Sequence, residues 1–162
     1  MKKAFTLIEL LITLAIITMV TVLGVPAFAK YGERSRFDQK ISEIKFAMDE
    51  VHLKMLNPEN GVSTYGLKIS DSGDGLSLTR GGYEYRHITI SAKDSIGTTG
   101  TYLDSMVCVV HTKICGKGDE SDVTTVPEYE FLSFSNADAD RRVIFSVKNN
   151  PFGVIVTDVT PL

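Results

Sequence analysis

The chain has 162 residues, 43% of them hydrophobic, and a formal net charge of −3. That length suits one domain plus one further element. The acidic balance excludes a general nucleic-acid surface, which needs a basic stripe to displace counterions, and no fixed period marks an array of repeats.

Lys2 and Lys3 open the chain, and Glu9 is the one charge between them and Lys30. Positions 10–29 are uncharged, and about 20 residues at helical rise span about 30 Å, one hydrocarbon core. The basic start is the end expected to stay cytoplasmic. Glu9 is the oddity, because a carboxylate at the hydrocarbon centre costs about 2.5–3.5 kcal/mol and the run supplies no cation. Two ordinary readings compete. Ala27-Phe28-Ala29 has the small-residue pattern of a secretory cleavage site, but the apolar region exceeds the usual ~7–15 residues and an acid at its head does not suit a signal peptide. A plain single-span anchor fits the length and leaves Glu9 without a purpose. Thr6, Thr13, Thr18 and Thr21 are expected to return their hydroxyls to helix carbonyls. Gly24 and Pro26, with Gly32 further on, are the expected points of a helix kink.

From residue 30 the pattern becomes one-sided. Phe37, Ile41, Ile44, Met48, Val51 and Met55 recur at spacings of four and three, the apolar stripe of an amphipathic helix. It covers about three heptads, so packing under a sheet of the same chain is favoured over a coiled-coil partner. Leu56-Asn57-Pro58-Glu59-Asn60-Gly61 ends the helix. A helix over 5–56 would be about 75–80 Å long.

Beyond residue 57 the period switches to two. Strands are expected at 65–69, 76–79, 83–90, 106–110, 131–134, 143–147 and 154–159, with Asp71-Ser72-Gly73-Asp74-Gly75, Gly81-Gly82 and Asn149-Asn150-Pro151 as turns. Residues 91–101 and 116–127 read as polar loops. The fold class is α+β: a long N-terminal helix, half apolar and half amphipathic, on an antiparallel β-sheet.

The block Ala4-Phe5-Thr6-Leu7-Ile8-Glu9-Leu10-Leu11 resembles the prepilin signature of type IV pilins and type II secretion pseudopilins. The resemblance implies cleavage by prepilin peptidase between Ala4 and Phe5, N-methylation of Phe5, and an assembly role for Glu9, fifth residue of the mature chain. It implies a leader at 1–4, a transmembrane and filament-core helix at 5–29, an amphipathic half at 30–56 and a globular β domain at 57–162. Ala4 stands where the family usually has glycine, and Thr18 is near the place of a glycine often found in the apolar half. The implied partners are other pilin subunits, an inner-membrane assembly platform and the cytoplasmic membrane, with the C-terminal domain outside, in a pilus or pseudopilus. Loss of Lys2 and Lys3 with the leader takes the charge from 17 − 20 to 15 − 20, or −5. In this frame the Glu9 carboxylate faces the new Phe5 amine of a neighbouring subunit and sets the register.

Looser likeness extends to the GspH/FimT-type minor pseudopilins, through Val25-Pro26-Ala27-Phe28, Arg34-Ser35-Arg36, Tyr65-Gly66-Leu67-Lys68-Ile69 and Arg141-Arg142-Val143-Ile144-Phe145. Some members bind DNA through a basic C-terminal end, but this chain ends Thr157-Asp158-Val159-Thr160-Pro161-Leu162 without a cation. The alternative function is a membrane-tethered minor pilin that captures DNA or a surface ligand.

Cys108 and Cys115 are a candidate disulfide if the chain reverses near His111; on one straight strand they would sit over about 20 Å apart, beyond bridging. Two thiolates and His111 lack a fourth ligand and standard finger spacing, so no metal is expected. Asp71, Asp74, Asp119, Glu120 and Asp122 match no calcium loop and read as solvated turn acids. His52, His87 and His111 are scattered, and no nucleophile elbow, zincin helix or phosphate loop is present. No enzyme and no cofactor is expected.

Overall fold

The structure is a computed structural model describing residues 6–70, 72–97, 105–118 and 123–159, without the side chains of Leu23, Gly24, Pro26 and Ala27. Ala4 and Phe5 lie outside the described residues, as do Asp71, Asp119, Glu120, Asp122 and the final 160–162. Residues 1–36 and 37–162 form two compact units.

A single helix, α1 (Leu7–Leu56), contributes to both. It keeps its helical backbone through positions 24, 26 and 32, so the expected weak points do not end the element. It stops where expected: Asn57 N still donates to Leu53 O at 3.0 Å, Pro58 cannot continue the pattern, and Asn60 and Gly61 take positive φ values of 53° and 71°. Asparagine and glycine are the residues that tolerate that conformation.

In the first unit the described apolar side chains of α1 are exposed. Leu7, Ile8, Ile17, Met19, Val22 and Phe28 are each more than 60% exposed. Thr13, Thr18 and Thr21 donate to the carbonyls of Leu10, Ala15 and Ile17 at 2.8, 2.9 and 2.7 Å, so their hydroxyls are satisfied locally, as expected.

The second unit holds the core. Phe37, Ile44, Met48, Val51 and Met55 of the stripe are buried together with Ala47, and Ile41 packs against them half-buried. Among the described residues nine antiparallel strands complete it: β1 (Thr64–Ile69), β2 (Gly75–Arg80), β3 (Tyr83–Thr89), β4 (Asp94–Gly97), β5 (Ser105–Val109), β6 (Ile114–Lys117), β7 (Glu128–Asn136), β8 (Arg141–Asn149) and β9 (Phe152–Asp158). They form two sheets where the sequence suggested one. The first runs β3-β2-β1-β5-β6 and the second β4-β7-β8-β9. Alternation pins the registers: Leu67 faces Leu78 and Met106, and Phe145 faces Leu132 and Val156.

Two strands correct the sequence reading. β4 falls in the expected loop 91–101 and carries one large apolar residue, Ile96. Polar bonds hold it instead: Asn136 Nδ2 donates to Asp94 Oδ1, and Ala139 N donates to Asn136 Oδ1 at 2.7 Å. Gly97 passes so close to Ser133 that a Cβ there would lie 2.2 Å from its Oγ. The second, β6, extends into the expected loop 116–127, because Tyr129 donates its hydroxyl to Gly116 O at 3.0 Å and Lys117 bridges Thr124. Burial raises the Tyr129 pKa well above the phenol range, keeping that donor protonated.

Arg141 ties α1 to β8 and β9. Its guanidinium bonds Asp38 and, at 2.6 Å, Asp158, and lies 5.5 Å from the centre of the Phe37 ring. Those bonds raise its pKa further, so the clamp stays charged at any ordinary pH.

His52 on α1 stacks on Phe152 with ring centres 3.6 Å apart and places Nδ1 3.8 Å from Cys115 Sγ. Burial pushes its pKa below the ordinary 6.5, against a smaller opposing pull from Asp49. The unfolded chain then binds the proton more tightly than the folded one, so the His52 contribution is full above about pH 6.5 and is lost as pH falls from there toward the folded value. In urea titrations between about pH 8 and about pH 5, His52→Gln is expected to reduce the loss of stability on acidification. An unchanged pH profile would show that the ring is not shielded.

Candidate functional site

The sequence singles out the start of α1, and the structure gives it a local logic. Thr6 precedes the helix and caps it: Glu9 N donates to Thr6 Oγ1 at 3.3 Å and to Thr6 O at 3.1 Å, and Leu10 N donates to Thr6 O at 3.2 Å. This corrects the expectation for Thr6, whose hydroxyl accepts an amide instead of returning to a carbonyl. The signal was present in the sequence. Thr6-Leu7-Ile8-Glu9 has the threonine-to-glutamate spacing of a capping box.

Glu9 occupies the first turn, where a carboxylate meets the positive end of the helix dipole for about 0.3–1 kcal/mol. Its side chain is exposed, and among the described residues the carboxylate makes no hydrogen bond or ion pair. Among the described residues the site therefore presents a capped helix end, an unpaired acid and exposed apolar turns.

Cys108 and Cys115 belong to the second unit. They stand opposite each other in the β5–β6 pair, the chain reversing over 110–113, and their sulfurs are bonded. His111 lies in that turn, and His52 and His87 are in other elements. Among the described residues no group of three or more His, Cys, Asp or Glu could hold a metal ion, and no helix is long and apolar enough to cross a membrane. The uncharged run 10–29 includes the four side chains outside the described residues.

The first unit thus presents an apolar helix with an acid near its capped end, and the second unit an α+β fold. Residues 1–25 match the family model described as Prokaryotic N-terminal methylation motif, which supports the type IV pilin and pseudopilin family and points to a structural subunit, not an enzyme. The match covers the start of the chain and none of the β domain. No curated protein and no solved structure matches the chain.

Proposed function

We propose that the chain is a structural subunit of a type IV pilus or a type II secretion-like pseudopilus, cut by prepilin peptidase between Ala4 and Phe5 and methylated on Phe5. The observation that carries this is the first unit: apolar side chains exposed around the helix, headed by Glu9, whose carboxylate is unpaired among the described residues. Such a helix is unstable as a free surface and needs lipid or copies of itself. The subunit inserts in the cytoplasmic membrane with residues 37–162 outside, then passes to an assembly platform and enters a filament of like or related subunits. There the Phe5 ammonium of a neighbour meets Glu9. Gly24 and Pro26 give the helix a place to bend on entering the bundle. The acidic balance favours this over a DNA-capturing role.

Two measurements test it. The mass of the N-terminal peptide from membrane-extracted protein is expected to begin at methylated Phe5; a chain retaining Met1 or beginning at Lys30 would refute the processing step. Removing one member of a buried charge pair costs about 3–5 kcal/mol, so Glu9→Ala is expected to lower incorporation into filaments by about 100-fold or more, with the protein still present in the membrane. Normal filament yield from Glu9→Ala would remove the assembly role.

A further inference from the structure

The β1–β2–β3 end of the five-stranded sheet carries a pocket that the assembly reading does not use. Ser77 alternates with the core residues Leu76 and Leu78, so it points to the opposite face of the sheet. It pairs in register with Lys68. Around them Ser70, Ser72, Tyr83 and Glu84 line an open depression of about 470 Å³, within the about 300–1,000 Å³ of small-molecule sites.

The floor is held in place. Ser77 is 1% exposed, and its Oγ lies 3.5 Å from His87 Nδ1. Asp74 lies 3.4 Å from the imidazole Nε2 and Glu84 3.8 Å from its Nδ1. Beside it glycine is required at position 75, where a Cβ would lie 2.1 Å from the Ile88 carbonyl oxygen and 2.8 Å from His87 Nε2. Asp74 accepts a hydrogen bond from Ser72, which lowers its pKa and keeps it ionised. Gly81 and Gly82, with φ of 54° and 82°, form the tight hairpin turn that brings Tyr83 over the rim. Tyr83 is 81% exposed, so core packing does not account for it.

The chemistry of the lining narrows the ligand. Three serine hydroxyls offer donors and acceptors, and the lining adds one ammonium, Lys68, and one carboxylate, Glu84. An anion such as phosphate would meet Glu84 and Asp74, and a cation would meet Lys68. A neutral ligand with one apolar face and many hydroxyls uses every group present: its C–H face lies on the Tyr83 ring, and its hydroxyls bond the serines, the ammonium and the carboxylate, the last two as charge-assisted bonds. We propose that this pocket binds a neutral saccharide of one or two rings, with Tyr83 as the stacking platform and Ser77, Lys68 and Glu84 as the polar contacts.

The test uses the full chain in dodecylphosphocholine micelles, which carry no sugar headgroup. Cellobiose, lactose, maltose and N,N′-diacetylchitobiose are titrated in turn, with inorganic phosphate as a charged control. Intrinsic fluorescence reports, because the chain has six tyrosines and no tryptophan. At least one disaccharide is expected to give a saturable change, weakened about tenfold or more by Tyr83→Ala and severalfold by Lys68→Met and by Glu84→Gln. These positions are exposed or half-buried, and each variant is checked for an unchanged urea midpoint. The proposal is overturned if no disaccharide gives a saturable response, if Tyr83→Ala binds as tightly as the parent chain, or if phosphate gives the response in their place.

Discussion

Phe37→Ala is expected to lower the unfolding free energy of the second unit by about 3–5 kcal/mol, the range for a buried phenylalanine truncated to alanine. Phe37 is fully buried and stacks on Phe134 with ring centres 4.9 Å apart and planes 6° apart. Truncation leaves a hole at the junction of α1 with β7 and removes the ring beneath Arg141. The guanidinium keeps Asp38 and Asp158, so the loss is one of packing and not of charge. For a chain of this size the change corresponds to a fall in Tm of about 6–20 °C. Urea denaturation of the full chain in micelles measures it, with an unchanged slope showing that the folded state is otherwise intact. Phe37→Leu, which keeps most of the volume, is expected to cost about 1.5 kcal/mol or less. A loss below about 1 kcal/mol for the alanine variant would mean that the ring is not packed as described.

That residue also shows what the sequence made legible. The spacing of Phe37, Ile44, Met48, Val51 and Met55 has a helical period, and a period of 3.6 can be satisfied only by placing one face against something apolar. The strands around Leu67, Leu78, Phe134 and Phe145 announced themselves equally by alternation. What escaped were elements held by other forces. β4 is secured through Asp94 and Asn136, a pairing across 42 positions that no local pattern reveals. β6 is secured by a cysteine, a tyrosine hydroxyl and a glycine that admits Val123 and Thr124. The division into two sheets follows from which strands stay unpaired with one another, a tertiary fact with no sequence period. At the N-terminus, Glu9 drew notice by its charge, whereas Thr6 looked like the other threonines until its amide partner was seen. The pocket on the outer sheet face was illegible for a similar reason: Lys68, Ser77 and Tyr83 are ordinary strand residues until the β1–β2 register and the Gly81-Gly82 turn bring them together.

Joint replacement of Cys108 and Cys115 by alanine is expected to cost about 2–4 kcal/mol, and reduction of the parent chain somewhat less. The bridge spans seven positions, and closing a loop of that length in the unfolded chain accounts for about 2.4 kcal/mol on chain entropy alone. Alanine adds the loss of two sulfurs from sites with no exposure and of the contact between Cys115 Sγ and His52. The order of stability is therefore oxidised parent, reduced parent, double alanine. The damage should also be local in character. β6 stands at the end of its sheet, so without the bridge it rests on its short ladder with β5 and on two polar links, Tyr129 to Gly116 O at 3.0 Å and Asn149 to Cys115 O at 2.6 Å. Hydrogen exchange should then accelerate at the β6 amides before it does in β7 and β8, whose pairing extends over nine-residue strands. Urea midpoints of the three forms, read beside exchange rates at 114–117 and 141–149, decide the matter. Equal midpoints would mean that the bridge restrains nothing the unfolded chain could use, and uniform acceleration across both sheets would mean that the β5–β6 hairpin folds and unfolds only with the whole unit.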